Sequence, residues 1–178
     1  EVSATTLRKA HAVHPIAAVQ TEYSLWTRNP EIAVLKACEE LGTTFVAFSP
    51  VARGFLCGDL RDVSTLAAND IRRAMPRFNA DTYAANLPLL DAYQSIAREA
   101  GCTPAQLALA WLLHKSSLLI PIPGTQNIHH LEDNIAAADV VLSAEQMQRL
   151  EALINPQTVK GPRYNAVNAS EVDTEEFA

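Results

Sequence analysis

Hydrophobic and polar residues alternate along this chain in two rhythms. Residues 16–20 (Ile-Ala-Ala-Val-Gln), 43–48 (Thr-Thr-Phe-Val-Ala-Phe) and 118–122 (Leu-Leu-Ile-Pro-Ile) are short apolar or β-branched runs. Runs of this length read as buried strands. The stretches between them carry the helical period. Helices are predicted over 5–13, with Ser3 as a candidate N-cap; over 32–41, ended by Gly42; and over 87–100, ended by Gly101. Another is predicted over 105–114, where Thr103-Pro104 supplies an N-cap and a first-turn proline. A fifth, over 127–137, places Ile128, Leu131 and Ile135 on one face. Ser143-Ala144-Glu145-Gln146 forms a capping box that opens a last helix, to about residue 154. Residues 155–178 read as a polar, irregular tail.

Strands alternating with helices predict an α/β fold with a parallel sheet. Three strands alone leave two apolar edges unpaired. Part of a larger barrel accounts for that better than a complete small domain. Residues 51–85 form a long connection with little regular pattern, the kind more often functional than idle.

The net charge of −6 argues against a nucleic-acid surface. No apolar run reaches the roughly 18 residues of a membrane helix. Cys38, Cys57 and Cys102 are odd in number and widely spaced, which suits a reducing cytoplasm rather than a disulfide framework. His129 and His130 point about 100° apart on a helix, so no metal site is expected. Glu1 opens the chain in what reads as mid-fold, and the beginning of the protein is expected to be missing.

The densest signal is residues 118–135. A strand, the turn Pro123-Gly124-Thr125 and a helix start follow one another without a gap. This order aims backbone N–H groups and a helix dipole at an anion. Gly124 permits close approach to the backbone and Thr125 adds a hydroxyl. Taken alone, the same segment also reads as an ordinary strand-to-helix connection.

Four motifs in order resemble the aldo-keto reductase family. They are Ala18-Val19-Gln20-Thr21-Glu22-Tyr23-Ser24-Leu25; Val46-Ala47-Phe48-Ser49-Pro50-Val51-Ala52-Arg53-Gly54-Phe55-Leu56; Arg72-Arg73-Ala74-Met75-Pro76-Arg77-Phe78; and Ile122-Pro123-Gly124-Thr125 with Leu131-Glu132-Asp133-Asn134-Ile135. The resemblance covers residues 1–155 and leaves 156–178 as the tail. It implies about strands six to eight of a (β/α)8 TIM barrel and a cytoplasmic oxidoreductase. The reaction implied is hydride transfer between NADP(H), ahead of NAD(H), and a small aldehyde, ketone or alcohol.

The resemblance also implies roles for residues. Gln20 would bind the nicotinamide carboxamide, Phe48 would stack on its ring, and Ser49, Val51 and Arg53 would wrap the pyrophosphate. Apart from the resemblance, residues 51–78 carry five arginines against three acidic residues, an excess that would steer an anionic ligand and makes Arg77 a further pyrophosphate candidate. Gly124, Thr125, Gln126 and His130 fall where the family holds the adenosine ribose and its 2′-phosphate. Asp133 and Asn134 fall where it holds adenine. Basic residues are common in the family at Gln126, Asn127 and His130, so this chain offers a 2′-phosphate less charge compensation. Tyr23 and Trp26 are candidates for a substrate pocket.

The family's catalytic tyrosine, lysine, aspartate and histidine come from its first four strands, so no catalytic residue is assigned here. Two expectations follow: the parent protein is an enzyme and this chain alone is inactive, or the chain is a binding or regulatory module such as the potassium-channel β subunits of the same fold. Alone, it is expected to need the rest of the barrel or to self-associate through its open edges.

Overall fold

The structure, a computed structural model, describes residues 1–177. Its sheet has three parallel strands in the order β1 (Ala18–Glu22), β2 (Thr44–Phe48), β3 (Leu119–Pro121). Around it lie α1 (Ala4–Val13), α2 (Val34–Leu41), α3 (Ala80–Glu99), α4 (Pro104–Lys115), α5 (Ile128–Ala136), α6 (Ala144–Leu153) and the short α7 (Ala166–Ala169). No described helix is long and apolar enough to cross a membrane.

Register separates the two faces of the sheet. Val19, Phe45 and Leu119 form one row and are buried beneath the helices. Gln20, Val46 and Ile120 form the next row, on the other face, and no described helix covers them. The period-2 alternation of strands thus gives one packed and one open face.

Two expectations need correction. β1 runs two residues later than predicted, because Thr21 and Glu22 continue the ladder with Ala47 and Phe48. A charged residue at a strand end obscured this. Helix α3 begins at Ala80 rather than residue 87 and runs through Pro88. Tyr83, Asn86, Leu90, Tyr93, Ile96 and Ala97 keep a buried stripe at helical spacing across the proline. A mid-helix proline costs about 3 kcal/mol, and burying two tyrosines and several aliphatic groups on that face offsets it. Ile128, Leu131 and Ile135 share a face of α5 as expected, and that face points outward, with 72%, 50% and 65% exposure. No described element packs on that side of β3.

The helix-side core is built on aromatic contacts. Tyr23 packs against Phe45 and Trp111, and Trp26 stacks on Phe55 at 4.0 Å. Beside Tyr23 lies a half-buried polar knot. Its hydroxyl donates to Glu31 at 2.7 Å, Arg28 donates to both Glu31 oxygens, and Lys115 stands 3.5 Å away. Burial alone would raise the Glu31 pKa, but the hydrogen bonds from Arg28 and Tyr23 outweigh it and the net shift is downward. A depressed carboxylate contributes stability above its unfolded pKa of about 4.3 and loses it as pH falls through the lower folded value. Urea melts are therefore expected to show stability falling below about pH 4, and Glu31→Gln should flatten that acid limb.

The tail is mostly irregular, yet it is docked. Asp173 accepts from Ser3 Oγ at 2.9 Å and from Thr6 Oγ1, and Glu175 accepts from the Ala4 amide at 2.8 Å. These carboxylates meet the N-terminus of α1, where a helix favours negative charge.

Candidate functional site

Two loops at the C-terminal ends of the strands build the site. After β2 the backbone enters the left-handed region at Ser49 (φ 49°), Ala52 (φ 53°) and Arg53 (φ 55°), then at Gly54 (φ 92°). Each such non-glycine residue costs about 1 kcal/mol or more. Hydrogen bonds hold the shape: Ala52 N to Ser49 O at 2.9 Å, Gly54 N to Val51 O at 3.1 Å, and Arg72 Nη1 to Arg53 O at 3.0 Å.

After β3 the chain passes Pro123, Gly124 and Thr125 into α5. Thr125 Oγ1 accepts from the Asn127 amide at 3.1 Å, and Asn127 Oδ1 accepts from the His129 amide at 2.9 Å. Two leading N–H groups are thus capped from within, so fewer face outward than the sequence suggested. Gly124 has no positive φ, and a Cβ built there meets nothing within 4 Å. The fold leaves space beside that position.

Both loops meet the N-terminus of α4. Thr103 caps that helix in a reciprocal box with Gln106, and its hydroxyl donates to Asp133 Oδ2 at 2.8 Å. Between them lies a cavity of about 270 Å³. Val51, Gly124, Thr125, His130, Asp133 and Asn134 all line it, with Cys57 and Thr103 alongside. Burial pushes the Cys57 thiol up to about 11, so it stands there as a neutral group. Gln126 borders an adjoining depression with Gly124, Thr125 and His130.

The other predicted residues lie along the strand ends. Phe48 sits half-buried at the end of β2, with the Arg53 guanidinium 5.8 Å from its ring centroid. Ser49 begins the strained loop. Gln20 is exposed on the open face, two residues short of the strand end that it was expected to close. Gln20 and Gly124 are not at opposite ends of the sheet, since β3 leads directly into the Gly124 turn and all strands run parallel.

Three placements differ from expectation. Tyr23 is fully buried on the helix side and bonded to Glu31, so it lines no pocket. Trp26 is 4% exposed and stacked on Phe55, although its edge borders a separate cavity near the tail. Arg77 borders that tail cavity and a small void beside Ala52 and Arg53, and its donors go to Trp26 O, Thr27 Oγ1 and Gly161 O. The other loop arginines are tied as well: Arg61 to Asp91, Arg72 to Asp70, and Arg73 to the carbonyls of Leu66 and Ala67. An excess of arginine in the sequence became internal bracing of a loop.

Sequence reasoning missed Glu22 and Arg163. Glu22, 4% exposed at the end of β1, takes Arg53 at 2.9 Å and the Thr27 hydroxyl at 3.1 Å. Arg163 reaches in from the tail to Glu1 and lies 3.7 Å from Glu22. An ionisable residue inside an apolar strand was a usable signal for Glu22. No local pattern announces Arg163, which depends on where the tail folds back.

Residues 1–155 match the sequence pattern of the aldo/keto reductase family. Over 180 aligned residues the chain is 40% identical to aldo-keto reductase str7 of Strobilurus tenacellus, covering 99% of this chain and 54% of that protein. It thus spans about half the length of this curated relative. Among solved structures it is similar to the thermostable aldo-keto reductase Tm1743, crystallised with the inhibitor epalrestat. There the identity is 29% and the TM-score 0.58, over 83% of this chain and 44% of that one. The glycerol dehydrogenase AKR11B4 of Gluconobacter oxydans superposes with a TM-score of 0.72 over 85% of this chain and 46% of its own. At 21% identity that likeness speaks for the fold alone. An α/β sector with three parallel strands, consistent with part of a barrel, together with the match over residues 1–155, shows that the chain belongs to the aldo/keto reductase family.

Proposed function

We propose that this chain is the cofactor-binding sector, about strands six to eight, of an aldo-keto oxidoreductase barrel that uses NADP(H) or NAD(H). The observation that carries the reading is the cavity of about 270 Å³, because six residues singled out for the adenosine and pyrophosphate end line it together. Their chemistry fits. Asp133 offers acceptors and Asn134 a donor and an acceptor to a purine edge. Gly124 keeps the backbone open where a ribose or phosphate would approach. Phe48 and Gln20 lie on the uncovered face of the sheet, suited to a nicotinamide ring and its carboxamide. When bound, the nicotinamide supplies or takes up the hydride exchanged with an aldehyde, ketone or alcohol. The chain's own residues anchor, orient and shield it.

The proton donor comes from outside this chain in our reading. The hydroxyls of Tyr23, Tyr83 and Tyr93 are given to Glu31, the Leu60 carbonyl and the Pro104 carbonyl. Burial raises the pKa of these three and of Tyr164, which lies under Arg163 in the tail, that of Tyr83 to about 12, the wrong direction for proton delivery near neutrality. The open sheet face and two unpaired edge strands suit a sector completed by further strands of the same barrel.

The 2′ position tests the residue assignment. Gln126 and His130 border the depression beside Gly124, and neither gives a fixed positive charge. In the natural protein that carries this chain, Gln126→Lys should shift preference toward NADPH over NADH by about 1–3 kcal/mol, typical of a charge-assisted contact. Dissociation constants for both cofactors measure this. An unchanged ratio would mean that Gln126 does not face the 2′ position.

A further inference from the structure

A second cavity, of about 350 Å³, opens between the loop after β1 and the C-terminal tail. This size falls in the range of small-molecule sites. It shares no lining residue with the cofactor-side cavity. Trp26, Val159 and Pro162 give it apolar walls, and Arg77 and Arg163 give it a basic end.

The charges around that end do not balance. The Arg77 donors go only to neutral oxygens: Trp26 O, Thr27 Oγ1 at 3.0 Å and Gly161 O at 3.1 Å. Burial, the largest influence, pushes its guanidinium down to about 10, so it remains a cation at neutral pH. The Arg163 side chain is 8% exposed and lies over Tyr164, its Cζ 4.1 Å from the ring centroid. Its Nη2 is paired with Glu1 and its Nε lies 3.7 Å from Glu22, yet Nε and Nη1 have no hydrogen-bond partner among the described residues. Arg53, Arg77 and Arg163 therefore share two interior carboxylates, Glu1 and Glu22, and a third, Glu176, that stands at the exposed rim. A rim carboxylate shared with water compensates a buried cation only in part, and an anion lodged inside the cavity would meet Arg77 more fully.

The rim limits what that anion can be. Glu176, exposed and held by Asn29 at 2.9 Å, lines the same cavity. It partly answers Arg77 and would repel a second negative charge on a ligand. We propose that the cavity binds a small monocarboxylate with a flat apolar body, its carboxylate toward Arg77 and Arg163 and its body against Trp26. This is separate from the dinucleotide reading and stands or falls without it.

4-Fluorobenzoate is the probe and 4-fluorobenzamide its neutral counterpart, each titrated into the natural protein by fluorine NMR and calorimetry. The benzoate should bind saturably and about ten-fold or more tighter than the amide, as a charge-assisted contact to arginine requires. Terephthalate, with a second carboxylate, should bind less well than the benzoate. Ala169→Trp, at an exposed position on the wall, should remove benzoate binding while leaving the melting temperature unchanged, and Arg77→Gln should weaken it about ten-fold. Equal binding of acid and amide would overturn the proposal. So would benzoate binding that survives Ala169→Trp, since the anion would then sit elsewhere. The comparison of acid with amide needs no variant and decides the matter even if Arg77→Gln misfolds.

Discussion

Replacing Glu22 with alanine is expected to destabilise the protein by about 3–5 kcal/mol, the usual cost of removing one partner from a buried ion pair. Glu22 is the shared counter-charge for Arg53, at 2.9 Å, and Arg163, at 3.7 Å, and it also accepts from Thr27. The side chains of Glu22, Arg53 and Arg163 are 5%, 18% and 8% exposed, so water cannot take its place. Without it, two guanidinium groups stay in the interior against Glu1 alone. Glu22→Gln should cost less, because the amide oxygen still accepts while only the charge is lost. Chemical denaturation of the three forms measures the ladder. Equal stability of wild type and Glu22→Ala would show that the cluster is solvated.

Gly124→Val is expected to spare the fold and damage cofactor binding. The φ of Gly124 is not positive, and a Cβ there meets nothing within 4 Å, so stability should change by no more than about 0.5 kcal/mol. The same side chain would stand in the mouth of the cavity that Gly124 shares with Thr125, Asp133 and Asn134. Overfilling a contact costs about 1–3 kcal/mol, which is about a 5–150-fold rise in Kd for the dinucleotide. A variant that loses stability and keeps its affinity would reverse the roles assigned to this glycine.

Both substitutions probe features that the chain disclosed unequally. The strands at 44–48 and 119–121 and the caps at Thr103 and Ser143 were readable because local chemistry determines them. The six residues around the cavity were readable as a group only through motif order, since periodicity cannot bring residue 51 to residue 134. The first turns of α3 are not legible in the sequence, because Tyr83 and Asn86 extend its buried stripe only once the loop before Pro88 is folded against the core. The loop arginines misled for a different reason. Charge along a sequence does not say whether the partner is a ligand or, as for Arg72 and Arg73, a neighbouring carboxylate or carbonyl. The outward stripe of α5 shows the same limit: amphipathicity marks a face that wants cover, and the covering element has to be present for that face to be buried.

Amide hydrogen exchange of the natural protein, with and without saturating NADPH, tests the central reading most directly. Slower exchange on cofactor addition is expected in the strained loop 49–54 and in residues 124–134, with the tail segment 155–164 unchanged. Protection that leaves both of the first two segments unaffected would contradict the assignment of this cavity to the dinucleotide.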